Sequence, residues 1–230
     1  MSLVENDLIA HLPRKSRASL MELCRPVELA MSQVLCKGGQ PIRYVYFPIG
    51  AFISAITLLD GIPVLEVGMI GHEGVFGAQV VLGATTEPLH GLVQGAGSAW
   101  RIGRRSFQRA LIHDSALRDS VSRYLLVTTI QLARFAACLR FHHIGPRLAR
   151  WLLMTGDRAS SDHFHVTHEF LAFMLGVRRV GITNAAVELQ RQGLIQYRRG
   201  DITILRRHAL ENVACGCYAA DRKTYATLLQ

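Results

Sequence analysis

The spacing of apolar and polar positions changes rhythm twice along this 230-residue chain. Residues 6–23 carry short runs with the three-to-four-residue period of amphipathic helices. From 27 to about 102 the period shortens to that of strands, in the runs VELA, QVLC, YVYFP, AFISAITLL, PVLEVGMI, GLVQ and SAWRI, punctuated by glycine and proline. Short strands so spaced predict a barrel or sandwich. Residues 117–142 hold neither glycine nor proline and read as one long helix, with a hinge at Gly145-Pro146. The pattern is helical again from 147, RLARWLLMTG, and a polar linker over 157–166 leads into the last part of the chain. The sequence shows no internal repeat and no low-complexity tract.

In the long helix, Val121, Leu125, Thr128, Leu132, Phe135, Leu139 and His142 recur at alternating steps of four and three, the heptad of a coiled coil. Such a seam asks for a partner helix, and a second copy of the chain is expected to supply it. Packing on the chain's own β-region is the alternative.

Residues 167–194, THEFLAFMLGVRRVGITNAAVELQRQGL, predict two short helices around a tight turn. Thr167 is an N-cap candidate, Phe170, Leu171, Met174 and Leu175 form an apolar face, and Gly176 suits a left-handed turn. A second helix starts near Arg178. Its Ile182, Ala185, Ala186 and Leu189 make one apolar stripe, and Val180, Asn184, Val187 and Arg191 project from the other side. Arg178 and Arg179 fall in the first turn, where the helix dipole disfavours cations by a few tenths of a kcal/mol. Breaks of a local rule are expected at functional sites, and an N-terminal turn in a major groove would use arginine for guanine edges and phosphates. The following LIQYRRGDITIL alternates as two strands around Arg198-Arg199-Gly200-Asp201, a wing. From 178 to 207 seven arginines face only Glu188 and Asp201, a local charge of +5 suited to a phosphate backbone.

The whole-chain charge of +9 and pI near 9.8 favour an anionic partner, nucleic acid or a membrane surface. No apolar run approaches the ~20 residues that span a bilayer, and the N-terminal segment lacks the order of a secretory leader, so a cytoplasmic protein with no membrane partner is expected. Cys24, Cys36, Cys138, Cys215 and Cys217 are odd in number and form no disulfide framework, as in a reducing compartment.

The order of β-rich module, long helix and winged helix-turn-helix resembles the Crp/Fnr superfamily of bacterial transcription regulators. YVYFPIGAFISAITLLDG and EVGMIGHEGVFG are similar to the glycine-marked turns of that family's cyclic-nucleotide-binding β-roll, THEFLAFMLGVRR to its helix-turn-helix, and ALENVACGCY to the tail of one subgroup. The resemblance implies an α+β fold: a cyclic-nucleotide-binding-like, effector-sensing β-roll with flanking helices over 1–114, a dimerisation helix over 115–144 and a winged helix-turn-helix over 145–230. It implies a homodimeric, sequence-specific transcription regulator, not an enzyme, with double-stranded DNA and RNA polymerase as partners. Phosphate contacts carry over to Thr167, His168, Arg178 and Arg198, with Arg199 beside them in the wing turn. Base contacts carry over to Arg179, Val180 and Asn184. Val180 and Asn184 replace the glutamate and arginine of members that read a guanine-containing half-site; Asn184 suits adenine and Val180 a thymine methyl.

The effector region, placed at Gly77, Glu87, Leu132 and Ala133, departs from cyclic-AMP-binding members. Glu87 and Pro88 stand where those members carry the Arg-Ser pair that holds the cyclic phosphate, and a carboxylate repels a phosphodiester. Leu132 and Ala133 stand where purine-contacting polar residues would lie, which predicts an apolar cavity or none. The effector is therefore unidentified and not cyclic AMP, and no cofactor is predicted. The alternatives are a haem- or redox-responsive regulator of the same family and a basic non-sensing DNA-binding or adaptor protein. His90, a conceivable haem ligand, reads as a half-buried strand histidine. Cys24 and Cys36 lack iron–sulfur spacing. Cys215-Gly-Cys217 has the look of a metal or redox pair, but residues one apart diverge on a helix, so buried free thiols and no metal are expected. His163, His165 and His168 could gather only on an extended strand, and a solvated hairpin is expected instead. His72-Glu73 falls in a glycine turn, without the paired strand histidines of a cupin enzyme.

Overall fold

The computed structural model describes residues 6–229; the first five residues of the N-terminal segment, and Gln230, lie outside them. Helices α1 (Asp7–Ala10) and α2 (Arg14–Leu23) lead into strands β1 (Arg25–Leu29), β2 (Val34–Cys36), β3 (Tyr44–Pro48), β4 (Phe52–Leu59), β5 (Ile62–Ile70), β6 (His90–Gly95) and β7 (Gly97–Gly103), with a 3-10 turn over Ala78–Leu82. Then come α3 (Arg104–His113), α4 (Ser115–Phe141), α5 (Ile144–Ala159), β8 (His163–His165), α6 (His168–Leu175), α7 (Arg179–Arg191), β9 (Ile195–Arg198), β10 (Asp201–Ile204), α8 (Arg207–Val213) and α9 (Cys217–Leu229). The strands β1-β7-β3 and β2-β6-β4-β5 form antiparallel sheets, facing each other as a β-roll. Period-two alternation places Leu29, Tyr46, Ile53, Phe76 and Val93 between them, so the apolar pattern itself sets the register.

Asp114 starts α4 as an N-cap, accepting from the Leu117 amide at 3.0 Å. The first half of α4 belongs to the β-roll: Leu117, Val121 and Tyr124 are buried in its core. This removes Val121 from the seam, since a residue 1% exposed within one protomer has no surface left for a second. Leu125, Thr128, Phe135 and Leu139 are half-buried and Leu132 is exposed, while the outward band runs through Leu126, Thr129, Ala133, Ala136 and Arg140. The opposite face is covered by α9, where Arg134 pairs with Asp221 and Tyr225 Oη donates to Gln131 at 3.4 Å. By length and composition α4 is also apolar enough to cross a bilayer, which the run-by-run reading of the sequence missed.

Helix α5 is buried on nearly every side, arginines included. Buried charge is costly unless paired, and each buried arginine finds a partner on another element. Arg147 donates to the Leu175 carbonyl, Arg150 meets Asp221 of α9 at 2.6 Å, and Arg158 meets Glu73 of the β5–β6 connection at 2.6 Å. Trp151 Nε1 donates to Glu66 of β5 at 3.0 Å, and Ser54 Oγ donates to the same carboxyl at 2.6 Å with the Gln94 carboxamide alongside. Phe52, Ile56 and Met69 of the β-roll share one apolar core with α5, α6 and α7.

The segment expected as a linker over 157–166 contains β8, which pairs with β10 and makes the wing three-stranded. His163 and His165 do lie on an extended strand, but they do not gather: one meets Thr203 at 3.1 Å and the other Asp201 at 2.9 Å.

Trp151→Phe keeps the ring and removes the donor to Glu66. Leaving a buried carboxyl oxygen without its partner should lower unfolding free energy by about 1–3 kcal/mol. Urea denaturation checks this, and an unchanged midpoint would show that Trp151 contributes packing alone.

Candidate nucleic-acid interface and effector chamber

Thr167 caps α6 by accepting from the Phe170 amide at 3.2 Å, which leaves its hydroxyl proton free. The helix ends at Gly176, whose φ of 63° is the left-handed conformation glycine adopts without strain. A side chain there would also strike Leu65 of β5. Helix α7 begins after Arg178 with no side-chain cap and no acidic residue in its first turn. Its leading amides therefore lack an acceptor within the chain's own side chains, an arrangement that suits an anion. Arg178, Arg179, Val180 and Asn184 are all exposed, and Ile182, Ala186 and Leu189 are buried on the opposite side.

His168 requires a correction. Its ring stacks on Tyr197 at 4.4 Å between centroids, its Nδ1 meets Thr183 Oγ1 at 3.1 Å, and its Nε2 is buried without a partner. Burial, with the nearby Arg179 charge, lowers its pKa. A neutral imidazole wedged between α6, α7 and the wing braces the motif; neither nitrogen is presented to a phosphate.

Arg198 and Arg199 are exposed at the wing tip. The turn residues Arg199 and Gly200 have φ of 54° and 93°, a conformation for which asparagine-glycine is the favoured pair. Arginine in that slot is strained, so charge at the tip is kept at a local cost.

The β-roll encloses a chamber of about 230 Å³ between β5, the 3-10 turn and α4. Gly77, Glu87 and Leu132 border it. Ala133 does not: one residue along a helix is a rotation of about 100°, and it faces outward. Thr128 and Thr129, which sequence reasoning overlooked, take that place and give the wall hydroxyls. The chamber is mostly apolar, and its acidic group is Glu87, which is fully buried. Glu87 Oε1 accepts from Gln79 and from the Leu89 amide, whereas Oε2 has no partner. Burial pushes this carboxyl up to about 7, opposed by the Leu89 and Gln79 hydrogen bonds. His90 is half-buried on β6, and burial lowers its pKa.

The expectation that Cys215 and Cys217 diverge is also corrected. Cys215 and Gly216 precede α9, so the pair is not held on a helix. Their thiols meet Cys138 and His142 of α4, with the four donor atoms within 4.8 Å of one another, so the expectation of no metal-ligating set does not hold for the fold. Cys138 and Cys215 are 77 positions apart, and no local spacing could reveal them.

Residues 146–213 match the Crp-like helix-turn-helix domain. The structure is similar to FixK2 from Bradyrhizobium japonicum, with a TM-score of 0.70 at 16% identity over 84% of this chain and 98% of that one. A Crp/Fnr-family regulator from Thermus thermophilus gives 0.68 at 18% identity over 83% and 98%. CLP from Xanthomonas campestris, described as a c-di-GMP-responsive global regulator, gives 0.66 at 17% over 84% and 99%. No curated protein matches in sequence. At these identities the likeness is one of fold, and the domain match adds a Crp-like helix-turn-helix domain within the C-terminal part of the chain.

The chamber carboxyl makes a signed prediction. An unfolded glutamate titrates near ~4.3, so with its pKa raised to about 7 Glu87 holds an extra proton in the folded state between those values. Its contribution to stability therefore falls as pH rises through that window, and the penalty is complete above it. Glu87→Gln should stabilise the fold at pH 8, by as much as about 4 kcal/mol at ~1.36 kcal/mol per unit, and so raise the thermal midpoint there, while changing little at pH 4. Equal shifts at both pH values in thermal scans would sink this account.

Proposed function

We propose that the protein is a homodimer that reads a specific duplex site with Arg179, Val180 and Asn184, positions itself on phosphates with Thr167, Arg178, Arg198 and Arg199, and responds to a small, largely apolar effector carrying a hydrogen-bond donor. The observation that carries the DNA reading is the exposed, uncapped, arginine-led N-terminus of α7 beside a strained arginine at the wing tip. Arg179 can bond a guanine edge bidentately, Asn184 an adenine, and Val180 can touch a thymine methyl. Phosphate contacts fix register without specifying sequence.

For the effector, Glu87 supports a donor group and disfavours a cyclic nucleotide. A phosphate beside this carboxyl would be repelled, and Arg101 is engaged elsewhere, over the Tyr44 ring at 4.3 Å on the other sheet. A hydroxyl, amide or amine would instead satisfy the unpartnered Oε2. The second copy is favoured by the outward band of α4, which stays apolar and uncovered in one protomer. Thr129 and Leu132 belong both to that face and to the chamber wall, so a partner helix would close the chamber. A two-fold axis there suits half-sites roughly 34 Å apart.

Arg179→Ala should cost about 1–3 kcal/mol on a selected duplex and leave random-duplex binding nearly intact at the same salt. Anisotropy titrations of both duplexes check this, and equal losses on both would reduce Arg179 to a phosphate contact. For the dimer, Ala133→Glu with Ala136→Glu places carboxylates on the outward band without disturbing the protomer core. Sedimentation should show a folded monomer; a persistent dimer would move the interface elsewhere.

A further inference from the structure

Cys138 and His142 stand one turn apart at the C-terminal end of α4, on the same face of the helix. Cys215 and Cys217 flank Gly216 where the connection from α8 enters α9, Cys217 being the first residue of that helix. Cys138 Sγ lies 3.7 Å from Cys215 Sγ and 3.4 Å from His142 Nδ1, and Cys217 Sγ lies 3.6 Å from the same nitrogen. A tetrahedral ion with metal–sulfur bonds of about 2.3 Å and metal–nitrogen bonds of about 2.0–2.1 Å sets its ligands about 3.8 Å apart for sulfur–sulfur and about 3.5 Å for sulfur–nitrogen. Three of the six edges have those lengths, and all six lie within 4.8 Å. They are far from the ~2.05 Å of a disulfide.

We propose that Cys138, His142, Cys215 and Cys217 form a tetrahedral site for a thiophilic divalent ion, Zn²⁺ above others. Three sulfurs and an imidazole select such an ion over the oxygen-seeking Mg²⁺ and Ca²⁺, and four protein ligands close the coordination sphere, as in structural rather than catalytic sites. The surroundings agree. Three thiolates, a neutral imidazole and a divalent ion sum to one negative charge, and Arg150 Nη1 lies 3.8 Å from Cys138 Sγ with its other arm on Asp221 at 2.6 Å. Outer groups of this kind orient and balance a metal centre. The Cys215 amide donates to the Pro146 carbonyl at 3.2 Å, and the Tyr218 amide to the Cys215 carbonyl at 3.1 Å, so the loop is already tied to the first turn of α5. The site spans the hinge after α4. An ion in it would staple the long helix to the segment that follows the winged helix-turn-helix.

The test uses the full chain, reduced and stripped with a chelator without oxygen, then titrated with Zn²⁺ and with Co²⁺ as a spectroscopic probe. We expect one ion per chain by elemental analysis, and for cobalt the thiolate charge-transfer bands and intense visible bands of tetrahedral coordination. Cys215→Ser with Cys217→Ser should abolish the thiolate bands. His142→Ala, at an exposed position that the fold does not depend on, should weaken Zn²⁺ binding by more than the roughly 10–100-fold that loss of an outer partner costs. Cys24→Ser and Cys36→Ser should bind as the parent does, and circular dichroism confirms that each variant is folded. No uptake by the reduced chain, or uptake insensitive to both the His142 and the cysteine substitutions, overturns the proposal. So does a Cys138–Cys215 disulfide in the chain as isolated that yields free thiols but no metal binding after reduction.

Discussion

The architecture depends on keeping the charges of α5 paired in a place with no water. A helix buried on nearly all sides cannot hold Arg147, Arg150 and Arg158 unless other elements answer them, and those answers come from α6, α9 and the β-roll. Each partner lies in a different part of the chain, so a helix that begins the DNA-binding domain also fixes where that domain sits. Removing one member of such a pair leaves a buried charge, which costs more than the pair contributed. Relative placement of the β-roll and the helix-turn-helix domain is therefore held by polar contacts with defined geometry, within a shared apolar core that alone would tolerate sliding.

Two glutamates show how the same burial serves different ends. Glu66 and Glu87 are each pushed up to about 7, mainly by desolvation. Glu66 accepts from Trp151 and Ser54 and belongs to the contact between domains. Glu87 keeps an unanswered oxygen in a chamber large enough for a small molecule. A satisfied carboxyl is structure; an unsatisfied one at a cavity is an open valence for a ligand.

Periodicity made the strands, the long helix and the helix-turn-helix legible, because each is a local pattern with one face buried. Charge against the dipole marked Arg178 and Arg179, and their exposure in the fold agrees with that reading. What stayed hidden depends on contacts between distant segments. Val121 fits a heptad as well as Leu132 does, and only the β-roll lying over it decides that it faces inward. Strand β8 is too short to show alternation and exists through its pairing with β10. His168 looks like an exposed cap-adjacent residue until Tyr197, from the wing, is laid against it. The cysteine cluster is the extreme case: adjacency of Cys215 and Cys217 was visible, but the turn that aims both at α4 was not.

Strand β5 touches both the chamber and the helix-turn-helix. Val67, Gly68 and Met69 border the chamber, and Leu65, a few residues earlier on the same strand, rests against the Gly176 turn between α6 and α7. At ~3.3 Å per residue the two stretches are separated by little more than the width of a strand pair. On the function proposed above, coupling along this strand would be reciprocal: whatever factor an occupant of the chamber applied to DNA affinity, bound DNA would apply to the occupant. A cell's store of binding sites on its chromosome would then set how tightly the regulator holds its signal, as much as the signal sets how tightly it holds the chromosome.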